Sequence, residues 1–459
     1  MNLNYAMPNK YLKICIFLIE IFIILNFYKI IKLKYLELKD GCKQIQLNFN
    51  INIKNSLKKK IRLALYAIAI KNGGRSRITS ILANKLSFIS IFDVFLFTQR
   101  KIEENEYNVP KQTKRIITHN NLVKLIEKYK IDLLIYQMSD INEINKLNNL
   151  NNNIKVLFYP HTSFFYWIYF NFSYFKDLYK AYRNSKYLIA LTHFENDYLF
   201  KKWEINSIFM DTFITYEYNN IIPSDLSSKT ILMIGRGEDK LKRFELGVKA
   251  MKYIIKEIPN STLKIISSFY GISYLKELAK ELQVQNNTIF VGYTSVPEVY
   301  FKNASLHIFP SISESFGLVL SETKIYGIPN ILIGLDYVSI AKGGTVIIYD
   351  DEPKLIAKKS INILKNKKFR KKLGKVARKS MKIFKNDLLF KKWIKLILMI
   401  YNDDYYLKMF RNQSNEITKG EATNIINKQL KIIRSIKPEL KNITPNKFEN
   451  FTYLENMNF

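Results

Sequence analysis

The chain reads as an α/β protein built from two doubly wound domains in tandem, and three observations predict it. Apolar runs of strand length alternate with helix-length stretches from Ile61 to Thr192, and the same alternation begins afresh at Thr230. Residues 211–229, with Pro223 among them, keep neither period and read as the connection between the two sets. A length of 459 residues is enough to bury two cores, and 47% hydrophobic content excludes a disordered chain.

Residues 11–31 form a strongly apolar run interrupted by Glu20 and Asn26. About 20 apolar residues span a bilayer and a central acid opposes insertion, so the run reads as a single anchor, an interfacial helix or a helix packed on the protein. No small-residue cleavage site follows it, which argues against a removed signal peptide. Lys29, Lys32 and Lys34 outnumber Lys10 and Lys13, placing the following domains on the cytoplasmic face of a membrane. Lys58, Lys59 and Lys60 complete a hydrophobic segment and basic linker over residues 1–60. The formal charge of +33 arises from 72 Lys and Arg against 39 Asp and Glu, and it calls for a polyanionic neighbour such as lipid headgroups, nucleic acid or phosphorylated substrates. Cys15 and Cys42 are the two cysteines, too few for a disulfide framework or a thiolate metal site.

The first domain, residues 61–222, is expected to hold strands at 62–70, 92–97, 131–136, 155–159 and 187–191. Its first strand leads through Gly73 and Gly74 into a helix at 75–86, a place where a ligand can approach backbone. The second domain, residues 223–385, is expected to hold strands at 230–234, 262–267, 288–292, 305–309, 330–334 and 345–348. Strands alternating with helices imply parallel sheets covered on both faces, with a ligand cleft between the domains. A basic helix at 369–384 and an apolar helix at 386–401 follow, the latter closing at 386–404 with a polar stop. Residues 405–459 form an Asn- and Lys-rich tail with one helical stretch near 425–436, expected to be peripheral.

The most informative stretch is 308–334, in which a buried strand, a Ser-Phe-Gly loop and a short helix at 316–326 succeed one another. Helix N-termini favour phosphate, so the N–H groups of Ser315, Phe316 and Gly317 suit an anion, flanked by the carboxylates of Glu314 and Glu322. Glu322 lies about five residues along the helix, roughly 8 Å from that end, near the separation of a ribose from the far phosphate of a nucleoside diphosphate. Alone, the two carboxylates read as well as a solvent-facing helix Glu and an unrelated loop Glu. In the second domain the first strand ends at Gly235, Arg236 and Gly237, and Lys242 follows, so two cations can converge on a diphosphate.

The run GRGEDKLKRFELGVKAM, followed by VGYTSVPEVYFKNASLHIFPSISESFGLVLSETKIYGIPNILI, resembles the donor-binding domain of GT-B glycosyltransferases of family 4. The resemblance covers roughly residues 61–403, most specifically 230–350, and its order of Gly-Arg, Lys and Glu-x7-Glu overrides the incidental reading of the two carboxylates. It implies a GT-B fold, two Rossmann-like domains facing a cleft, and a retaining, metal-independent enzyme of EC 2.4 that uses a nucleotide sugar without a cofactor. By motif, Arg236 and Lys242 would bind the diphosphate, Glu322 the ribose and Glu314 the transferred sugar, and a His near His161 would contact the sugar. One departure stands out: the family usually has Lys-Gly where this chain has Lys242-Arg243, with Lys240 as a competing lysine.

His307, inside a strand, reads as a core residue, His119 and His193 read as standing at helix starts, and no His and carboxylate spacing resembles a metal site. The expected activity is therefore hexosyl transfer to a glycan or lipid-linked acceptor at an anionic membrane surface, with no nucleic-acid motif present. A nucleotide-sugar epimerase of the same architecture and a catalytically inactive membrane-associated GT-B protein are the alternatives. If residues 11–31 anchor the protein, deleting residues 1–34 shifts it from the membrane to the soluble fraction, and unchanged fractionation excludes the anchor.

Overall fold

The computed structural model describes residues 59–71, 73–102, 106–118, 121–150, 154–200, 202–236, 240–267, 272–403 and 417–443. The expected N-terminal segment up to Leu57 and Lys58, both cysteines, His119, Gly237 and most of the tail lie outside them. Among the described residues no helix is long and apolar enough to cross a membrane. Residues 59–61 and 87–93 group apart, and the rest of the described chain belongs to one compact unit carrying both sheets.

The first half runs β1 (Ile61–Ala67), α1 (Gly73–Ser87), β2 (Phe92–Thr98), β3 (Lys114–Ile117), α2 (Leu122–Lys128), β4 (Leu133–Tyr136), α3 (Ile141–Asn148), β5 (Lys155–Phe158), α4 (Phe164–Phe170), α5 (Phe172–Arg183), β6 (Tyr187–Ala190) and β7 (Ser207–Phe209). The second runs β8 (Thr230–Ile234), α6 (Phe244–Glu257), β9 (Thr262–Ile266), α7 (Ser273–Glu281), β10 (Thr288–Gly292), α8 (Glu298–Phe301), β11 (Leu306–Phe309), α9 (Leu318–Ile325), β12 (Asn330–Ile333), β13 (Thr345–Ile348), α10 (Pro353–Lys365), α11 (Lys367–Ser380) and α12 (Asn386–Tyr401). A last helix, α13 (Lys419–Ile436), lies beyond. Strands β3 and β7 were not expected from the sequence. Each has four residues or fewer, β7 lies at the sheet edge, and β3 lies at the other edge with no fully buried position, so neither leaves an apolar run to read.

The first sheet has the order β3-β2-β1-β4-β5-β6-β7 and the second β10-β9-β8-β11-β12-β13. Pairs β1–β4, β4–β5, β8–β9, β8–β11 and β11–β12 all run parallel. In each sheet the winding reverses once, between β1 and β4 and between β8 and β11. Loops leaving the carboxyl ends of those four strands part from each other there, which is where doubly wound sheets open a ligand crevice. Gly73 and Gly74 follow β1, Gly235 follows β8 and Glu314 follows β11, so the topology brings the sequence candidates to these two points. Buried apolar residues of both halves, from Phe158 and Phe165 to Phe316 and Tyr337, belong to one continuous core.

The C-terminal helices bind the halves together. In α12, the Asn386 amide bonds both backbone groups of Ile214 at 2.9 and 2.8 Å, and Trp393 packs 5.1 Å from the Tyr159 ring. Just past it, Asp403 accepts from Lys155, from Lys186 at 2.8 Å and from Tyr187 at 2.8 Å, beside β5 and β6. These donors, Lys155 first, hold the Asp403 carboxyl well below the usual range.

Residues 417–443 correct the expectation of a peripheral tail. Thr418 and Glu421 form a capping box at the start of α13, which buries Ala422, Ile426, Leu430, Ile432 and Ile433. Gln429, 1% exposed, donates to the carbonyl of Ile312 and accepts from the Leu335 N–H at 3.4 Å. The helix was expected near 425–436, but Lys and Asn richness hid its burial, because composition does not report which side of a helix is covered. Gln429→Leu keeps the volume but leaves the Ile312 carbonyl and Leu335 N–H unpaired in the interior. Urea unfolding should show stability lowered by on the order of 2 kcal/mol with an unchanged slope.

Candidate functional site

The site is built from the loops at the two switch points. After β11, Pro310 leads into residues 311–317 and then α9, whose N-cap is Gly317 at φ 82°. The helix begins at Leu318, two residues later than expected. Its free N–H groups are therefore those of Leu318, Val319 and Leu320, while Ser315 and Phe316 lie in the loop before it. Phe316 is 2% exposed and packs its ring 5.6 Å from Phe384, so it anchors the loop in the core. Ser315 Oγ donates to the His161 carbonyl at 3.0 Å, and the Ser163 and Ser313 hydroxyls touch, which ties this loop to the one after β5.

Glu314 and Lys242 meet: Lys242 Nζ lies 2.5 Å from Glu314 Oε1, and the Glu314 N–H donates to Tyr337 Oη at 3.1 Å. Lys242 closes a 3-10 turn at Lys240–Lys242 after β8, and Lys240 at its start is exposed, so Lys242 is the lysine that faces the carboxylate. A Cβ on Gly235 would stand 3.2 Å from Lys242 Cγ; the glycine lets that side chain cross the strand end. Arg236 is exposed at the same strand end, near enough to the first-sheet Arg75 to depress its pKa further after burial.

Arg243, the departure from the family pattern, adopts φ 46° and ψ 48° as N-cap of α6. This left-handed region is where glycine is at ease and a side chain is strained, which accounts for the glycine usual there. The guanidinium compensates. Buried to 4%, it donates to the Pro310 carbonyl at 2.8 Å and to Asp351 Oδ2 at 3.0 Å, pinning the start of the Glu314 loop.

Glu322, 3% exposed, faces the first domain. Its Oε1 accepts from Arg77 Nη1 at 2.5 Å and Thr215 Oγ1 at 2.7 Å, and among the described residues Oε2 is uncommitted. The two partners respond differently. At Glu322 burial dominates and raises the carboxyl pKa; at Arg77, a quarter exposed, burial is the largest single effect and works against the charge, but Glu322, Tyr107 and Tyr216 together outweigh it and the pKa rises. Arg77 comes from α1, four residues after Gly73, whose φ of 78° turns the chain into the helix. A Cβ on Gly74 would meet Leu318 Cδ1 at 2.9 Å, so the glycine pair lets α1 approach the start of α9. His161 Nε2 pairs with Gln137 Oε1 at 2.9 Å, and burial followed by the charge of Arg75 pushes the imidazole well below its ordinary pKa, keeping it neutral.

His307 is a core residue, its Nδ1 2.6 Å from Asn330 Oδ1, and burial lowers its pKa to about 4. Among the described residues no three His, Cys, Asp or Glu side chains gather as metal ligands. Sequence reasoning missed Arg77, Thr215, Tyr337 and Gln429. Arg77 alone left a trace, as a cation in the first turn of a helix after a glycine pair; the others act through contacts far apart in the chain.

Two parallel sheets with facing switch points define a GT-B-like α/β protein. Residues 216–380 match the family model of glycosyl transferases group 1, so the second sheet lies in a domain of that family. An uncharacterized glycosyltransferase of Haemophilus influenzae is 27% identical over 278 residues, which span 56% of this chain and 76% of that protein. Sucrose-phosphate synthase from Thermosynechococcus elongatus superposes with a TM-score of 0.64 at 18% identity, over 75% of this chain and 100% of that one. HepE of Anabaena in complex with UDP-glucose gives a TM-score of 0.60 at 12% identity, over 74% and 99%.

Arg77→Ala strands the buried Glu322 charge without its cation. We expect a loss of on the order of 3 kcal/mol in chemical denaturation, with Arg77→Lys recovering part of it, and a wild-type unfolding midpoint in the alanine variant would show the pair to be dispensable.

Proposed function

We propose that the protein is a retaining glycosyltransferase of family 4 that moves a hexosyl group from a nucleotide sugar to a glycan or lipid-linked acceptor at the cytoplasmic face of a membrane. The observation that carries this reading is the convergence at the β8/β11 switch point. Lys242, Glu314 and the start of α9 lie on one side, and Glu322, with one oxygen uncommitted, lies inside that helix. The UDP-glucose carried by the structurally similar HepE supports a nucleotide sugar as donor.

In this reading the diphosphate takes Arg236, Lys242 and the N–H groups at the start of α9, and the ribose hydroxyls donate to Glu322 Oε2. Glu314 accepts from hydroxyls of the transferred sugar once the phosphate has drawn Lys242 away from it. Once the donor has drawn Lys242 onto the diphosphate, the cations held there stabilise the departing phosphate, the largest protein contribution to such a transfer. The acceptor hydroxyl attacks on the face that the leaving phosphate vacates and passes its proton to that phosphate, so the anomeric configuration is retained and no dedicated protein base is required. Neutral His161, at the end of β5, stands on the first-sheet side, where the sugar and acceptor approach, as do Gly73 and Gly74. No metal ion enters this scheme.

Incubating the purified chain with UDP-, GDP- and ADP-sugars and a panel of glycan and lipid acceptors should give acceptor-dependent transfer that survives chelation. Glu314→Gln and Arg236→Ala should each lower turnover by at least 100-fold while the thermal midpoint stays near that of the parent. Acceptor-independent epimerisation would identify a nucleotide-sugar epimerase instead, and no stabilisation by any nucleotide would leave a catalytically inactive protein.

A further inference from the structure

We propose that helix α11 and the turn after it are a docking face for an anionic lipid bilayer, so that the second domain meets the membrane directly. Residues 365–385 contain eleven Lys or Arg and no Asp or Glu. The helix is sharply two-sided. Arg370, Gly374, Ala377 and Met381 are buried, whereas Lys367, Lys368, Lys371, Lys372, Lys375, Lys379, Lys382 and Lys385 are exposed.

The buried side is fixed by backbone contact. Gly374 allows an approach so close that a Cβ there would lie 2.3 Å from the Gly327 carbonyl oxygen, and Arg378 donates to the Ile325 carbonyl at 2.6 Å. Helix α11 is thus packed rigidly against the end of α9, the helix that carries Glu322. On the opposite side the lysines recur at i and i+4, at 367, 371, 375 and 379 and again at 368 and 372. Like charges at that spacing destabilise a helix, so this arrangement does not serve helix stability and suits a partner that neutralises it.

Two further observations select lipid among polyanions. Positions 372, 376, 379 and 383 follow one another at helical spacing of three and four, and two of them carry exposed apolar side chains, Val376 at 42% and Ile383 at 78%. Leu388 at 52%, in the first turn of α12, is a further exposed apolar side chain close by in the chain. Apolar side chains set among lysines match the boundary of headgroups and acyl chains. A single-stranded nucleic acid would call instead for exposed aromatic rings on which bases stack, and Phe369 and Phe384 are both partly covered. This surface lies on the second domain, and the inference is independent of the proposed activity.

The test uses the full chain and sedimentation with vesicles of phosphatidylcholine containing 30% phosphatidylglycerol, beside vesicles of phosphatidylcholine alone. The protein should bind the anionic vesicles, and added salt should weaken binding. Each cation near such a surface contributes about fivefold in affinity. The fourfold variant Lys368→Gln, Lys372→Gln, Lys375→Gln, Lys379→Gln should therefore partition at least tenfold more weakly, with an unchanged thermal midpoint. Ile383→Ser should weaken binding severalfold with the salt dependence preserved. Partitioning of the fourfold variant equal to that of the parent, or tighter binding to single-stranded DNA than to anionic vesicles, would overturn the proposal.

Discussion

The pairing of Arg77 with Glu322 is the constraint on which the rest of the site depends. A carboxylate buried to 3% on the second domain has little water to solvate it, and its cation comes from the first helix of the other domain. Ion pair, glycine contact at Leu318 and shared core therefore hold the same two helices against each other. The loops after β1 and β11 cannot be placed independently: the register that lets Gly74 pass Leu318 also delivers the guanidinium to the carboxylate. Because Arg77 and Thr215 share a single oxygen, this arrangement keeps the other one open while tying the domains together.

A second constraint sits one residue past Lys242. Arg243 accepts a backbone conformation that disfavours side chains and uses the resulting direction to reach the Pro310 carbonyl and Asp351. The strand end bearing the lysine and the loop bearing Glu314 are thereby fastened to each other behind the ion pair they form. A substitution that looks like added surface charge in the sequence is in space an interior brace.

Much of the scaffold was legible beforehand, since uninterrupted β-branched and apolar runs survive as sequence even in short or edge strands: β8, β10, β13 and α12 fall where the sequence places them. Short edge strands β3 and β7 left no such run. At the site, Glu314, Lys242 and Gly235 could be read because motif spacing within one loop or turn survives as sequence. The contacts of Arg77, Thr215, Tyr337 and Gln429 could not, because each depends on which loops of distant segments face one another. The start of α9 was misplaced by two residues for a local reason: the left-handed Gly317 resets the chain before the helix, and hydrophobicity alone does not show that reset.

Gln429 has a consequence for the order in which the chain becomes functional. The carbonyl it holds, Ile312, precedes it by 117 residues. During synthesis the loop between β11 and α9 leaves the ribosome long before its interior support exists, and α12 must also fold back onto the first sheet in the interval. The nascent chain can thus assemble both sheets while the Glu314 loop still lacks its contact to Gln429, held meanwhile by Arg243, Phe316 and the serine contacts. The Gln429 contact to this loop therefore exists only once α13 has been made, after the segments of both sheets.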